Sequence, residues 1–344
     1  MKNMISNIVK GHNLIQSQIH QALKSKRLPH ALLFSGPSGV GKKKMAWALA
    51  QSLLCEKKIL TKDSNNLALP LQDHKEENYI PCNNCFSCSS ILKNQSEHVL
   101  CISYETLQIR LSDVQQIPSF LSLQSFAKAK IVLIDSAEKL NPQASNFLLK
   151  IIEEPPPQSF FFLISSNPSQ ISLTIRSRVQ NIRFSSLSEK ILKELSPQDT
   201  ESWMIQGARG RLDMLENLKQ QKELRSIAFD LFFEIFKNKS FFELNFKEKI
   251  QNRSKALEIL RFWQELLRDI RLLKLNCREY IIHGDKIKKM EGLSHFSTEL
   301  LDLWIKKMIE MEWELNSNFD LILCFENFMI LVKQSLKSNL NKLR

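Results

Sequence analysis

Residues Gly36-Pro37-Ser38-Gly39-Val40-Gly41-Lys42-Lys43 match a phosphate-binding loop at every position except the last. In the pattern G-x-x-x-x-G-K-[ST] the glycines let backbone N–H groups wrap phosphates, the lysine meets the terminal phosphates, and the hydroxyl ligates Mg²⁺. Lys43 stands where the hydroxyl belongs, and a charged lysine has no lone pair for a metal. A loop of this kind keeps the cradle for a nucleotide and lacks a part that hydrolysis needs. The flanks suit the motif. HALLFS (30–35) is a short apolar run fit for a buried parallel strand. Over 44–55, Met45, Leu49 and Leu53 recur at i, i+4 and i+8, which predicts a helix. The chain has only 8 glycines, and three of them fall in this register, which argues against an accidental turn.

KIVLID (130–135) reads as a second buried strand ending in an acid. In phosphate-loop ATPases such an acid, here Asp135, helps hold the Mg²⁺. The next position is Ser136, which cannot act as a base near neutral pH. Glu138 is two residues on and would point back to the same side of an extended backbone, as a weak substitute. Metal ligand and base are thus both missing, and the two losses agree. Asn141-Pro142 is an N-cap followed by proline at the first helical position. It opens a predicted helix over 143–154 that stops at Pro155-Pro156-Pro157. FFFLI (160–164) and a short run at 182–184 complete an alternation of strands and helices, which means a parallel sheet with helices on both faces.

Four of the seven cysteines carry a second signal. Cys82, Cys85 and Cys88 form C-x2-C-x2-C among turn-forming residues, a spacing that lets thiolates converge on one structural Zn²⁺. Cys55, at the end of the predicted post-loop helix, is the first choice for a fourth ligand, with His74 and His98 in reserve. Cys101, Cys277 and Cys324 sit among apolar residues and read as buried small hydrophobes. Residues 57–77 are polar and read as an inserted surface loop.

At 344 residues the chain has room for two or three domains. No apolar run reaches the length of roughly 18 residues that a membrane span needs, and the first ten residues lack the apolar core of a signal peptide. These readings point to a cytoplasmic chain. The net charge of +12 favours the company of nucleic acid or an acidic partner.

RLPHALLFSGPSGVGKK, the cysteine cluster, KIVLIDSAEKL, NFLLKIIEEPP and IRSRV occur in this order and at these separations in bacterial clamp-loader subunits. The chain resembles that AAA+ family over 28–184, and again at LNSN (315–318) and LCFEN (323–327). Within it the chain looks like the delta-prime type of DNA polymerase III subunit. The ATP-hydrolysing gamma/tau type, which has Ser or Thr at the place of Lys43 and Glu at that of Ser136, is the alternative. The family's lid arginine aligns with Asp213, a third loss, although Arg209 or Arg211 could substitute. Arg178 occupies the family's S-R-C position, with Val179 in place of Cys, and resembles the finger that one subunit inserts into its neighbour's ATP site.

The resemblance implies an α/β AAA+ phosphate-loop domain over 1–185 with a zinc module (55–88), a small helical lid over 186–222 and an all-α collar over 223–344. In the collar, Ala256, Leu257, Leu260, Trp263, Leu267 and Ile270 form one apolar face, and Leu300, Leu303, Trp304, Met308 and Met311 another. The partners implied are gamma/tau and delta subunits in a hetero-pentameric ring, the sliding clamp and primer-template DNA, with no membrane.

Overall fold

The computed structural model describes residues 9–57, 81–103, 108–123, 129–237, 243 and 245–342. His74 and nearly all of the 57–77 loop lie outside the described residues, as do residues 1–8. The chain divides into two compact units. One is Met1–Leu195 together with Gly210–Leu212, and the other is Ser196–Arg209 together with Asp213–Arg344.

In the first unit, β1 (Ala31–Ser35), β2 (Val99–Ile102), β3 (Lys130–Ile134), β4 (Ser159–Ser165) and β5 (Gln180–Arg183) form one sheet. Its strand order is β2-β3-β4-β1-β5, and every pairing is parallel. Helices cover both faces, so the inner strands carry apolar residues at successive positions instead of alternating with polar ones. Leu32, Phe34, Ile131, Leu133, Phe162 and Ile164 face one layer, where Ile15 and Ile19 of α1 (Asn13–Lys24) and Met45 and Leu49 of α2 (Lys42–Leu54) pack. Leu33, Val132, Ile134, Phe161 and Leu163 face the other, against Leu148 and Ile152 of the helix Pro142–Glu153. That helix starts as expected, with the Asn141 side chain accepting a hydrogen bond from the Ala144 amide at 2.8 Å. The α/β core read from the sequence is therefore present, with strand and helix ends shifted by one or two residues.

Three expectations need correction. β2 was not anticipated, and it places Cys101 on the edge strand of the sheet, where one flank has no neighbouring strand among the described residues and the thiol is only half-buried. Cys277 is also half-buried, in the turn that follows a long helix; only Cys324 of the three is buried. The backbone after Asp135 is not extended. Ser136 has φ 56° and leads into a turn of 3-10 helix, Ala137–Lys139.

The second unit is helical. Its main elements among the described residues are Lys222–Ile235, Arg253–Lys274, Thr298–Asn316 and Leu321–Lys342, packed around Trp263, Trp304, Phe229, Phe232 and Phe325. The two predicted apolar faces are buried except at Leu257, which is half-buried, and Leu303, which is exposed. The helical stripe through Leu300, Trp304, Met308 and Met311 leaves Leu303 on its border. Deep in this unit Arg225 lies over the Trp203 ring at 4.0 Å. Its Nε donates to His283 Nδ1 at 3.3 Å and its NH2 to Asp285 Oδ1 at 2.5 Å, while the His283 backbone N–H donates to Asp269 at 2.8 Å.

Candidate phosphate-loop and four-cysteine sites

Parallel strands deliver their following loops to one edge of a sheet, and ligands of such sheets bind there. Three loops meet at that edge here. The loop after β1 opens with Gly36, whose φ of +137° and position 2.3 Å (for an added Cβ) from the Phe184 carbonyl oxygen admit no side chain. It closes into α2, whose first-turn N–H groups have no helical acceptor and are open to an anion. Lys42 is 5 % exposed. Its Nζ donates to the carbonyl oxygens of Gly36 and Pro37 at 2.6 and 2.5 Å, and to Ser166 Oγ, beyond β4, at 3.2 Å. The lysine thus props the loop into shape from within.

Lys43 and Asp135 meet directly, Nζ to Oδ2 at 2.8 Å. Burial pulls the Lys43 ammonium down, but the hydrogen bond and charge of Asp135 outweigh it and hold the lysine above its ordinary range. Mg²⁺ does not fit this arrangement. The residue that would ligate it is a cation, and that cation already occupies the acid. Glu138 does reach the site, by a route the sequence did not suggest. Its Oε1 accepts from the Ser166 amide at 3.1 Å, and its Oε2 is buried without a hydrogen-bond partner.

A fourth segment approaches the loop. Gly210, at φ +81°, lies so close to the backbone that an added Cβ would be 2.5 Å from the Leu187 carbonyl oxygen. The turn there separates the helices Ser202–Gly207 and Leu212–Gln220. It also brings the Arg211 guanidinium to Ser38 Oγ at 2.5 Å and the Leu212 amide to the Gly39 carbonyl at 3.1 Å. Of Arg209 and Arg211, it is Arg211 whose side chain meets the loop. Asp213 lies in the first turn of the helix Leu212–Gln220 and accepts from Met214 N at 2.8 Å. Ser38, Ser166 and Arg211 contribute contacts that spacing alone could not reveal.

The opposite end of α2 carries the second site. Cys55 caps the helix, and its sulfur lies with those of Cys82, Cys85 and Cys88 within 4.8 Å of one another. All seven cysteines are free. Successive amides point at the sulfurs: Cys82 N donates to Cys55 Sγ at 3.4 Å, Cys85 N to Cys82 Sγ at 3.2 Å, and Cys88 N to Cys85 Sγ at 3.4 Å. Burial pushes Cys55 and Cys88 up. Burial also acts on Cys82, but the amides of Asn84 and Cys85 overcome it and bring the thiol down to about 7. Tetrahedral coordination by four thiolates, with sulfurs about 2.3 Å from the ion, fits this cluster. His98 is not part of it; its carbonyl pairs with Ile131 N at the foot of the sheet. The four-cysteine set could hold a metal ion, with Cys55 in the fourth place.

Arg178 follows the short helix Leu173–Arg176. Its guanidinium is partly exposed and paired with Glu153, and it donates to Thr174 O at 3.2 Å.

The family model described as DNA polymerase III, delta subunit, matches residues 11–188. The delta′ subunit of DNA polymerase III from Bacillus subtilis is 24% identical over 340 residues, 93% of this chain and 95% of that one. The tau subunit from the same organism is 28% identical over 211 residues, 60% of this chain but only 34% of its own length. Among solved structures, a gamma subunit-related protein from Thermotoga maritima aligns over 93% of this chain and 98% of its own at 13% identity and a TM-score of 0.44. The delta′ relative resembles the chain along nearly all of its length, and the family match covers more than half of it, from α1 past β5, so the chain belongs to the DNA polymerase III delta-subunit family.

Proposed function

We propose that the chain serves as the non-hydrolysing delta′ subunit of a clamp loader, which opens the sliding clamp and places it on primer-template DNA. The observation that carries this reading is the Lys43–Asp135 pair, 2.8 Å apart where a metal-dependent ATPase needs a metal. The proposal takes the 186–222 and 223–344 segments as lid and collar. It assigns gamma/tau and delta subunits as ring partners, five subunits to the ring, and a cytoplasmic location. No described helix is long and apolar enough to cross a membrane. ATP binding through residues 36–43 is compatible with this role. Arg178 acts in trans: released from Glu153, it reaches a neighbour's γ-phosphate and stabilises charge as the transition state forms. The four cysteines hold one structural zinc, which closes the polar insertion; a fully ligated site has no open position for substrate.

The test is steady-state ATPase activity of the isolated chain, followed by reconstitution with gamma/tau and delta. No turnover above background, with clamp loading restored only when the chain is present, is the expected result. Turnover in the isolated chain that disappears in Lys42→Ala would instead make it a gamma/tau-type motor.

A further inference from the structure

We infer that the phosphate loop takes a nucleoside di- or triphosphate in its metal-free form, with the Lys43 ammonium standing in for the divalent cation. The inference rests on the non-hydrolysing reading above and deepens it by naming the ligand's chemical form. Three features of the site point the same way. The anion cradle is intact: Gly36 leaves backbone exposed where no Cβ fits, and the first-turn amides of α2 face the loop. Cations surround it: Lys42 beneath, bonded to the Gly36 and Pro37 carbonyls, Lys43 at the metal position, and Arg211 at the rim on Ser38. Third, the acid that would hold a hydrated metal is engaged. Asp135 is 24 % exposed and already meets Lys43 at 2.8 Å.

Charge arithmetic separates this site from an ordinary one. A Mg²⁺ beside one aspartate leaves a net +1 for the phosphates; an ammonium beside the same aspartate leaves zero. The cradle has one positive charge fewer, so a diphosphate should bind at least as tightly as a triphosphate. Lys43 is 51 % exposed and its ion pair is of the weak surface kind, so the ammonium can swing from Asp135 onto a phosphate oxygen. A metal-bound nucleotide would bring its cation against Lys43 and must shed it before binding.

Equilibrium titration of the full chain with fluorescent ADP and ATP, in chelator and in excess Mg²⁺, tests this. We expect binding in chelator, with ADP at least equal to ATP, and an apparent ATP affinity lowered about tenfold or more by Mg²⁺. Lys43→Thr restores the hydroxyl and should reverse the metal effect. Asp135→Asn removes an acid and should leave metal-free binding intact or tighter, whereas a metal-using site would lose affinity. A circular dichroism spectrum like that of the wild type establishes that each variant is folded. Binding that requires Mg²⁺, a Mg²⁺ response unchanged in Lys43→Thr, or no binding in either buffer would overturn the inference. In the last case a chain that still assembles and supports clamp loading leaves the scaffold reading standing; ATPase turnover by the isolated chain would remove both.

Discussion

At the residue scale, the loss of the metal ligand was legible because the loop is local: eight consecutive positions, seven right and one wrong. Where Lys43 goes instead was not, because Asp135 follows another strand, 92 positions on, and neither was the reach of Arg211 to Ser38, 173 positions away. Arg178 lies between these cases. Its motif is local, but in the isolated chain the side chain is folded onto Glu153. Arg178→Ala removes an exposed ion pair, so the chain should keep its stability within about 1 kcal/mol. The reconstituted complex should hydrolyse ATP and load clamps several-fold more slowly, since one of several sites loses its finger. Arg176→Ala is the control and should matter less. Loading at the wild-type rate by the Arg178→Ala complex would refute the trans role.

At the element scale, the long apolar strands and the amphipathic helices could be read from periodicity. β2 could not, because four residues give too little pattern. α3 (Phe86–Leu92) is seven residues long and too short to hold itself together in water. It begins at Cys85, whose side chain accepts from Cys88 N, so the four-cysteine cluster is what fixes it. Metal analysis after dialysis should find about one zinc per chain, and Cys85→Ser should abolish it and lose helix signal. With zinc bound as proposed, thiol titration of the native chain should reach Cys101 and Cys277 quickly and Cys324 slowly. A chain without zinc whose four clustered thiols titrate freely would sink the assignment.

On the scale of the whole molecule, the division into a sheet unit and a helical unit gives each its own chemistry of stability. The helical unit depends on a buried charge cluster. Burial works against the Asp285 carboxylate, but the hydrogen bond and charge of Arg225 outweigh it and hold the group below the ordinary carboxylate range. Glu265 is likewise held low, by His283 against burial. A group lowered in the folded chain contributes stability above its unfolded value, about 4, and loses it as pH falls through the folded value. Acid should therefore unfold the helical unit as pH drops below about 4, and Asp285→Asn should flatten that dependence when thermal unfolding is followed against pH. Arg225→Ala strands a buried histidine and tryptophan and should cost about 2–4 kcal/mol in denaturant unfolding. In the sheet unit, one element does two jobs. α2 starts at the phosphate loop with Lys42 and is capped by Cys55, a rod about 20 Å long at 1.5 Å per residue. With zinc bound as proposed, Cys55 would tie its far end to the cysteine cluster. Chelation would unclamp that end and let the rod rock about its buried middle, so the loop should loosen its grip on an anion without any of its own residues changing. A zinc held there would be a tuning peg for a binding site a helix-length away.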